Sequence, residues 1–241
     1  MKNCFIIAFL LLPIIGFGQD TTFYDNDWNI VNSMDSAFTY SIVSYEKDDA
    51  NMAIVRNYLK SGQIKTENHY SDYKKYILEG KRFTWYDNGQ IHEEIEYKNG
   101  KINGYLLTYW NNGKSKRADK YKNGKFIEGK CFSSDGKDTV FYDYEKMPEF
   151  QGGDNELLKY LKKELNYPEV SRKNGIQGKV YVSFVVNVDG HISSVKIARS
   201  VNKELDDEAL RVVKKMPNWK PGRQDGIIVK VTYMVPVNFM L

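Results

Sequence analysis

Gly175-Ile176-Gln177-Gly178-Lys179-Val180-Tyr181-Val182-Ser183-Phe184-Val185-Val186-Asn187-Val188-Asp189-Gly190 is the stretch that decides the fold. Its apolar residues recur with a period of two, the signature of an extended strand. Val180, Val182, Phe184, Val186 and Val188 fall on one face, and Tyr181, Ser183, Val185 and Asn187 on the other. Asp189-Gly190 is a tight-turn pair. His191 to Arg199 returns as a second strand. Working outward, the flanks are helical. Upstream, Asp154 is a candidate N-cap. Leu157, Leu158, Leu161 and Leu165 form an apolar stripe there, and Tyr167-Pro168 closes the segment because proline disfavours helical geometry in the residue before it. Downstream, Asn202 caps a helix from Lys203 to Met216 that buries Leu205, Ala209, Val212, Val213 and Met216. Trp219-Lys220-Pro221-Gly222 then turns the chain into a last strand, Ile227 to Phe239. The order is helix–strand–strand–helix–strand, a sheet with two helices on one face and no catalytic constellation. Pro236 and Lys230 place the last strand at the sheet edge, since proline lacks an N–H and an edge tolerates a lysine.

The middle of the chain has a different rhythm. Asn88-Gly89, Asn99-Gly100, Asn112-Gly113, Asn123-Gly124 and Asp135-Gly136 recur at spacings of 11, 13, 11 and 12 residues. These pairs favour two-residue type I′ hairpin turns, in which both central residues take positive φ. Aromatics precede most of them (Trp85-Tyr86, Tyr97, Tyr109-Trp110, Tyr121), and Ser61-Gly62 after Tyr58 is a degenerate earlier copy. The segments between turns alternate, as in Ile91, Glu93 and Ile95 against His92, Glu94 and Glu96. Phe38–Tyr45 and Met52–Leu59 are two more strands around Lys47-Asp48-Asp49. The chain therefore reads as α+β. An all-β meander of stacked hairpin repeats over 23–144 precedes a small αββαβ module over 147–241.

Composition narrows the function classes. The 241 residues include 18 tyrosines and 6 prolines, with a formal charge of +4 spread among acidic residues. A nucleic-acid footprint would cluster its lysines and arginines. Lys2, the apolar run Cys4–Phe17 and Gly16-Phe17-Gly18 form a secretory signal over residues 1–18, with Gln19 as the mature start. The run is shorter than the roughly 20 residues that span a bilayer. An uncleaved inner-membrane anchor is the alternative. Cleavage leaves Cys131 as the one cysteine, so no intramolecular disulfide can form. His69, His92 and His191 show no metal-ligand spacing, and no glycine-rich segment opens a helix as a phosphate loop does. The expectation is a non-enzyme with no cofactor, metal, nucleic-acid or small-molecule ligand.

Two resemblances follow from these residues. The hairpin region resembles MORN-like repeats in the variant of YwqK-type antitoxin-like proteins. Residues 147–241 resemble the TonB C-terminal domain on Tyr167-Pro168, Gly175-Ile176-Gln177-Gly178, the Val180–Val188 strand, Asp189-Gly190, the Leu205–Met216 helix, Trp219-Lys220-Pro221-Gly222 and Pro236-Val237-Asn238. That resemblance implies a periplasmic protein that docks TonB-dependent outer-membrane receptors. The receptor's TonB box would add as a strand to the last strand of the domain. The implied contact edge is Val229, Lys230, Val231, Thr232, Tyr233, Met234 and Val235, with Asn166, Tyr167 and Pro168 as a lead-in near the receptor. Self-dimerisation, or contact with other components of the system, is a further implied partnership. The chain departs from the family in two places. No Ser/His pair lies between Cys4 and Phe17, and no proline lies between Pro13 and Pro148, where the family has a motor-contacting helix and a proline-rich linker. These departures favour docking over direct coupling to the proton gradient. The competing reading is a cell-envelope scaffold whose Tyr/Trp-rich hairpins contact peptidoglycan, lipid or protein.

Overall fold

The computed structural model describes residues 19–241, so the expected leader and Cys4 lie outside the described residues. The chain divides into two compact units, Met1–Phe141 and Tyr142–Leu241. It is rich in strands with three α-helices among the described residues, an α+β chain.

The first unit is an antiparallel sheet. It runs through β1 (Gln19–Tyr24), β2 (Ile30–Val31), β3 (Thr39–Tyr45), β4 (Ala53–Leu59), β5 (Ile64–Asp72), β6 (Ile77–Leu78), β7 (Gly80–Trp85), β8 (Ile91–Lys98), β9 (Lys101–Tyr109), β10 (Ser115–Lys122), β11 (Lys125–Phe132) and β12 (Asp138–Thr139). From β3 to β12 the strand order follows the chain, with β6 as a side branch on β5. Two kinds of turn generate this order. Asn99-Gly100 and Asn123-Gly124 have positive φ at both positions, closing Lys98 on Lys101 and Lys122 on Lys125 as type I′ turns. Asn88, Asn112 and Asp135 depart from the expected I′ geometry, because at these turns only the glycine has positive φ. The Tyr86 N–H bonds the Gln90 carbonyl and the Gly89 N–H bonds the Tyr86 carbonyl. That is a three-residue loop, a type I turn followed by a left-handed glycine. Trp110–Lys114, Ser133–Lys137 and Leu59–Gln63 repeat the pattern. Two-residue turns at one end of the sheet and three-residue loops at the other produce the alternating spacing of the Asn-Gly pairs.

A single sheet buries little apolar volume, and this one closes part of a face with charge. Ile95, Leu106 and Cys131 are buried beside Glu93, Thr108, Arg117 and Asp119. Arg117 Nη1 and Asp119 Oδ2 pair at 2.7 Å with neither side chain exposed, under the Phe141 ring, 5.4 Å from the guanidinium. Arg56–Glu67 at 2.6 Å and Arg82–Glu93 at 3.1 Å are further cross-strand pairs. A separate cluster gathers Val43, Ala53 and Val55 under Tyr45, Tyr70 and Tyr73.

The second unit begins with β13 (Glu145–Lys146), followed by α1 (Asp154–Glu164) and α2 (Glu169–Lys173). Then come β14 (Gly178–Val186), β15 (Ile192–Arg199), α3 (Lys203–Lys214), β16 (Gly222–Gln224), β17 (Ile227–Val229) and β18 (Val231–Phe239). The main sheet has the order β15-β14-β18, all antiparallel. Val180, Val182, Phe184 and Val186 of β14 have no exposed area, and each such side chain contributes about 1.5–3 kcal/mol by burial. They meet Leu157 and Leu161 of α1, Leu205, Ala209, Val212 and Val213 of α3, and Trp219. The Asn202 side chain accepts from the Leu205 N–H at 3.0 Å, capping α3.

Several expectations need correction. Gly153, not Asp154, holds the N-cap of α1. Leu158 is 63 % exposed, because one short helix presents only a narrow stripe to the sheet. Val188 is exposed, since β14 ends at Val186 and Asn187–His191 forms another three-residue loop. Pro168 does not stop α1, which ends at Glu164; it is the N-cap of the additional helix α2. The segment Ile227–Phe239 is two strands. Asp225-Gly226, both with positive φ, folds β16 onto β17 in a small sheet with β13, and Lys230 separates β17 from β18.

Candidate partner-docking edge

β18 pairs with β14 from Val231↔Val186 to Phe239↔Gly178 without a register shift. No described strand pairs with its other side. Side chains alternate along it. Val235, Val237 and Phe239 are buried, while Thr232, Met234, Pro236 and Asn238 are exposed. Backbone polarity follows from the proline. Pro236 lies opposite Tyr181, and a ring without an N–H can sit there only with its nitrogen directed away from β14. Since backbone direction alternates with every residue, Thr232, Met234 and Asn238 direct their N–H and C=O groups outward. Pro236 adds a carbonyl alone. The free edge therefore offers two donors, at 232 and 234, then a gap at 236, then one at 238.

Of the residues named from sequence, Val231, Thr232, Tyr233, Met234 and Val235 lie on β18. Val229 lies on β17, opposite Gly222, and Lys230 lies between the two strands. Tyr233 turns inward. Its ring centroid is 5.0 Å from that of Trp219 and 5.9 Å from that of Phe184. The lead-in is held from below. The Asn166 N–H donates to Glu208 Oε1 at 2.7 Å, and Arg211 clasps Glu208 through Nε and Nη2 at 2.7 Å each. Arg211 Nη2 also donates to the Glu164 carbonyl at 2.7 Å. Burial raises the Glu208 pKa, but the Arg211 and Asn166 hydrogen bonds outweigh it and hold the carboxyl below its ordinary 4.5. The Tyr167 hydroxyl donates to the Ile176 carbonyl at 2.6 Å, and its ring stands edge-on to Phe239. Tyr167 is thus a brace beneath the end of β18, and Asn166 is the exposed residue of the three.

Between α1 and the C-terminal half of β18 lies an apolar groove of about 270 Å³, bordered by Leu158, Leu161, Leu165, Pro236 and Met240, with Lys162 at its rim. Residues 163–241 match the family model of the Gram-negative bacterial TonB protein C-terminal. These residues form a TonB C-terminal domain. Two curated relatives, both Protein TonB of Helicobacter pylori (strains 26695 and J99), are 28 % identical over 85 residues. The match covers 33 % of this chain and 30 % of each relative. The chain thus spans less than a third of the length of the curated relatives it matches. Two solution structures of the Helicobacter pylori TonB C-terminal domain are similar at 22 % and 24 % identity. They cover 36 % and 37 % of this chain, and 90 % and 85 % of theirs, each with a TM-score of 0.29.

Besides helix α2, sequence reasoning did not find three parts of this domain. The β16–β17 hairpin had a signal in Asp225-Gly226. The groove and the ties from Glu208 to Asn166 and from Arg211 to Glu164 had none, because each joins segments more than 40 residues apart. Among the described residues no group of histidine, cysteine or acidic side chains could hold a metal ion, and no helix is long and apolar enough to cross a membrane. His191 pairs with Asp189 at 2.6 Å and His69 with Glu67 at 2.8 Å, in different units.

Proposed function

We propose that this chain acts in a TonB system of the cell envelope, docking TonB-dependent outer-membrane transporters through strand addition to β18. The unpaired edge of β18 carries this reading. Its outward N–H and C=O groups form a template for an extended segment, and main-chain hydrogen bonds supply affinity without demanding one sequence. The groove beside Pro236 accepts one apolar side chain of the added strand, and Lys162 favours an acidic neighbour. Asn166 borders the route by which such a segment arrives. The chain is exported and faces the periplasm, as its leader-like residues 1–18 imply. Its role there is gripping the receptor.

Proline substitution tests the edge directly. Met234→Pro removes one outward N–H and leaves the bonds to β14 in place. Val235→Pro removes an inward N–H and breaks the sheet. With the full chain titrated by TonB-box peptides, Met234→Pro should weaken binding about tenfold, the loss of roughly one hydrogen bond at 1.4 kcal/mol, with little change in unfolding midpoint. Val235→Pro should destabilise the domain. Equal peptide affinity for wild type and Met234→Pro would remove β18 from the contact.

A further inference from the structure

We infer that the hairpin unit binds an anionic linear glycan along the end of its sheet that carries the type I′ turns. At both of those turns the closing residues are directly opposed lysines, Lys98↔Lys101 and Lys122↔Lys125. Directly opposed like charges destabilise a hairpin, so local folding does not account for the choice. All four lysines are exposed, and among the described residues no carboxylate lies within ion-pair distance of them. Two acidic side chains near these turns are bound to backbone amides. Glu79 accepts from the Asn99 N–H at 2.7 Å, and Glu96 accepts from the Tyr105 N–H at 3.2 Å. The two turns are one hairpin apart, two strand spacings or about 10 Å. They present pairs of positive charge at that repeat.

A groove on the face of the sheet tells a polymer from a flat surface. It has a volume of about 260 Å³ and is lined by Tyr105, Ala118, Lys120, Glu128, Gly129 and Lys130. Tyr105 is 48 % exposed and lies opposite Lys120. Lys120 is two residues from Lys122, so groove and turn are continuous. A lipid surface would meet the turn tips and leave this groove empty. A glycan strand would lay one ring against Tyr105, an amphipathic ring suited to a sugar's apolar face. Its carboxylates would reach the lysine pairs. Cell-wall glycan, with one carboxylate-bearing branch per β-1,4-linked disaccharide, has a repeat comparable to the hairpin spacing.

The test uses full-length protein sedimented with purified peptidoglycan sacculi at physiological ionic strength. Chitin, which has the same linkage without carboxylates, and anionic phospholipid vesicles are the comparison arms. Retention on sacculi and not on chitin is expected. It should fall at least tenfold when Lys98, Lys101, Lys122 and Lys125 are all changed to Gln, return when they are changed to Arg, and fall severalfold in Tyr105→Ala. Matched thermal unfolding of the variants shows that they remain folded. Met234→Pro should leave retention unchanged, which separates this site from the strand edge. Absence of retention, equal retention on chitin, an unaffected Gln variant, or stronger sedimentation with vesicles than with sacculi would each overturn the proposal.

Discussion

Gly190 shows how one atom can be forbidden by two independent constraints. Its φ is +87°, and a Cβ placed on it would overlap the Trp219 carbonyl oxygen. The Gly190 carbonyl accepts from the Trp219 N–H at 2.8 Å, so the two backbones cannot separate without losing that bond. Gly190→Ala should therefore destabilise the C-terminal unit by about 2–4 kcal/mol, from left-handed strain plus overpacking. Denaturant unfolding followed by tryptophan fluorescence checks this. Glu208 sets a second residue-scale expectation. Its folded pKa is depressed, so its contribution is fully present above the ordinary 4.5 and is lost as pH falls through the folded value. Glu208→Gln should cost about 1–2 kcal/mol at neutral pH. It should also flatten the loss of stability below pH 4.5 relative to wild type, as measured by urea unfolding across pH 3 to 7.

At the scale of elements, the hairpins are joined by side chains that reach one repeat ahead. The Asn88 side chain donates to the Asn111 carbonyl at 2.7 Å, and Asn112 to the Ser134 carbonyl at 2.9 Å. The Tyr86 hydroxyl donates to the Tyr109 carbonyl at 2.7 Å, and Trp110 Nε1 to the Phe132 carbonyl at 3.0 Å. Each of these asparagines also accepts inside its own loop, Asn88 from the Gln90 N–H at 3.1 Å and Asn112 from the Lys114 N–H at 3.0 Å. Asn88→Ala and Asn112→Ala should therefore each cost about 1–3 kcal/mol, with faster hydrogen exchange at Gln90 and Lys114. The sequence carried the turns but not their type. Asn-Gly is compatible with either class, and only the register of the flanking strands separates Asn99 from Asn88. The order of the C-terminal elements was legible from the periodicity of Val180–Val186 and Leu205–Val213. Helix α2, five residues long, is too short to show a period. The β17–β18 break was hidden because Ile227, Val229 and Val231 keep a single alternation across Lys230. The buried Arg117–Asp119 pair was illegible for a different reason, since it is covered by Phe141 from a segment more than 20 residues downstream.

At the scale of the whole molecule, the two units stabilise themselves by unlike means. One has a thick apolar core beneath a three-stranded sheet. The other relies on a long sheet with ion pairs and aromatic contacts between neighbouring strands. Units with separate cores are expected to unfold separately. Calorimetry should resolve two transitions. Gly190→Ala should lower one of them, and Leu106→Ala, at about 2–4 kcal/mol, should lower the other. A single transition shifted by both substitutions would show that the units fold as one. The proline on β18 has a consequence of its own. An unpaired strand is a nucleus on which like chains can stack without end. Pro236 interrupts the donor row after Met234, so a second copy laid along the edge would meet a missing rung near the middle of the strand. The molecule can thus keep its grip exposed while remaining poor at forming fibres with itself.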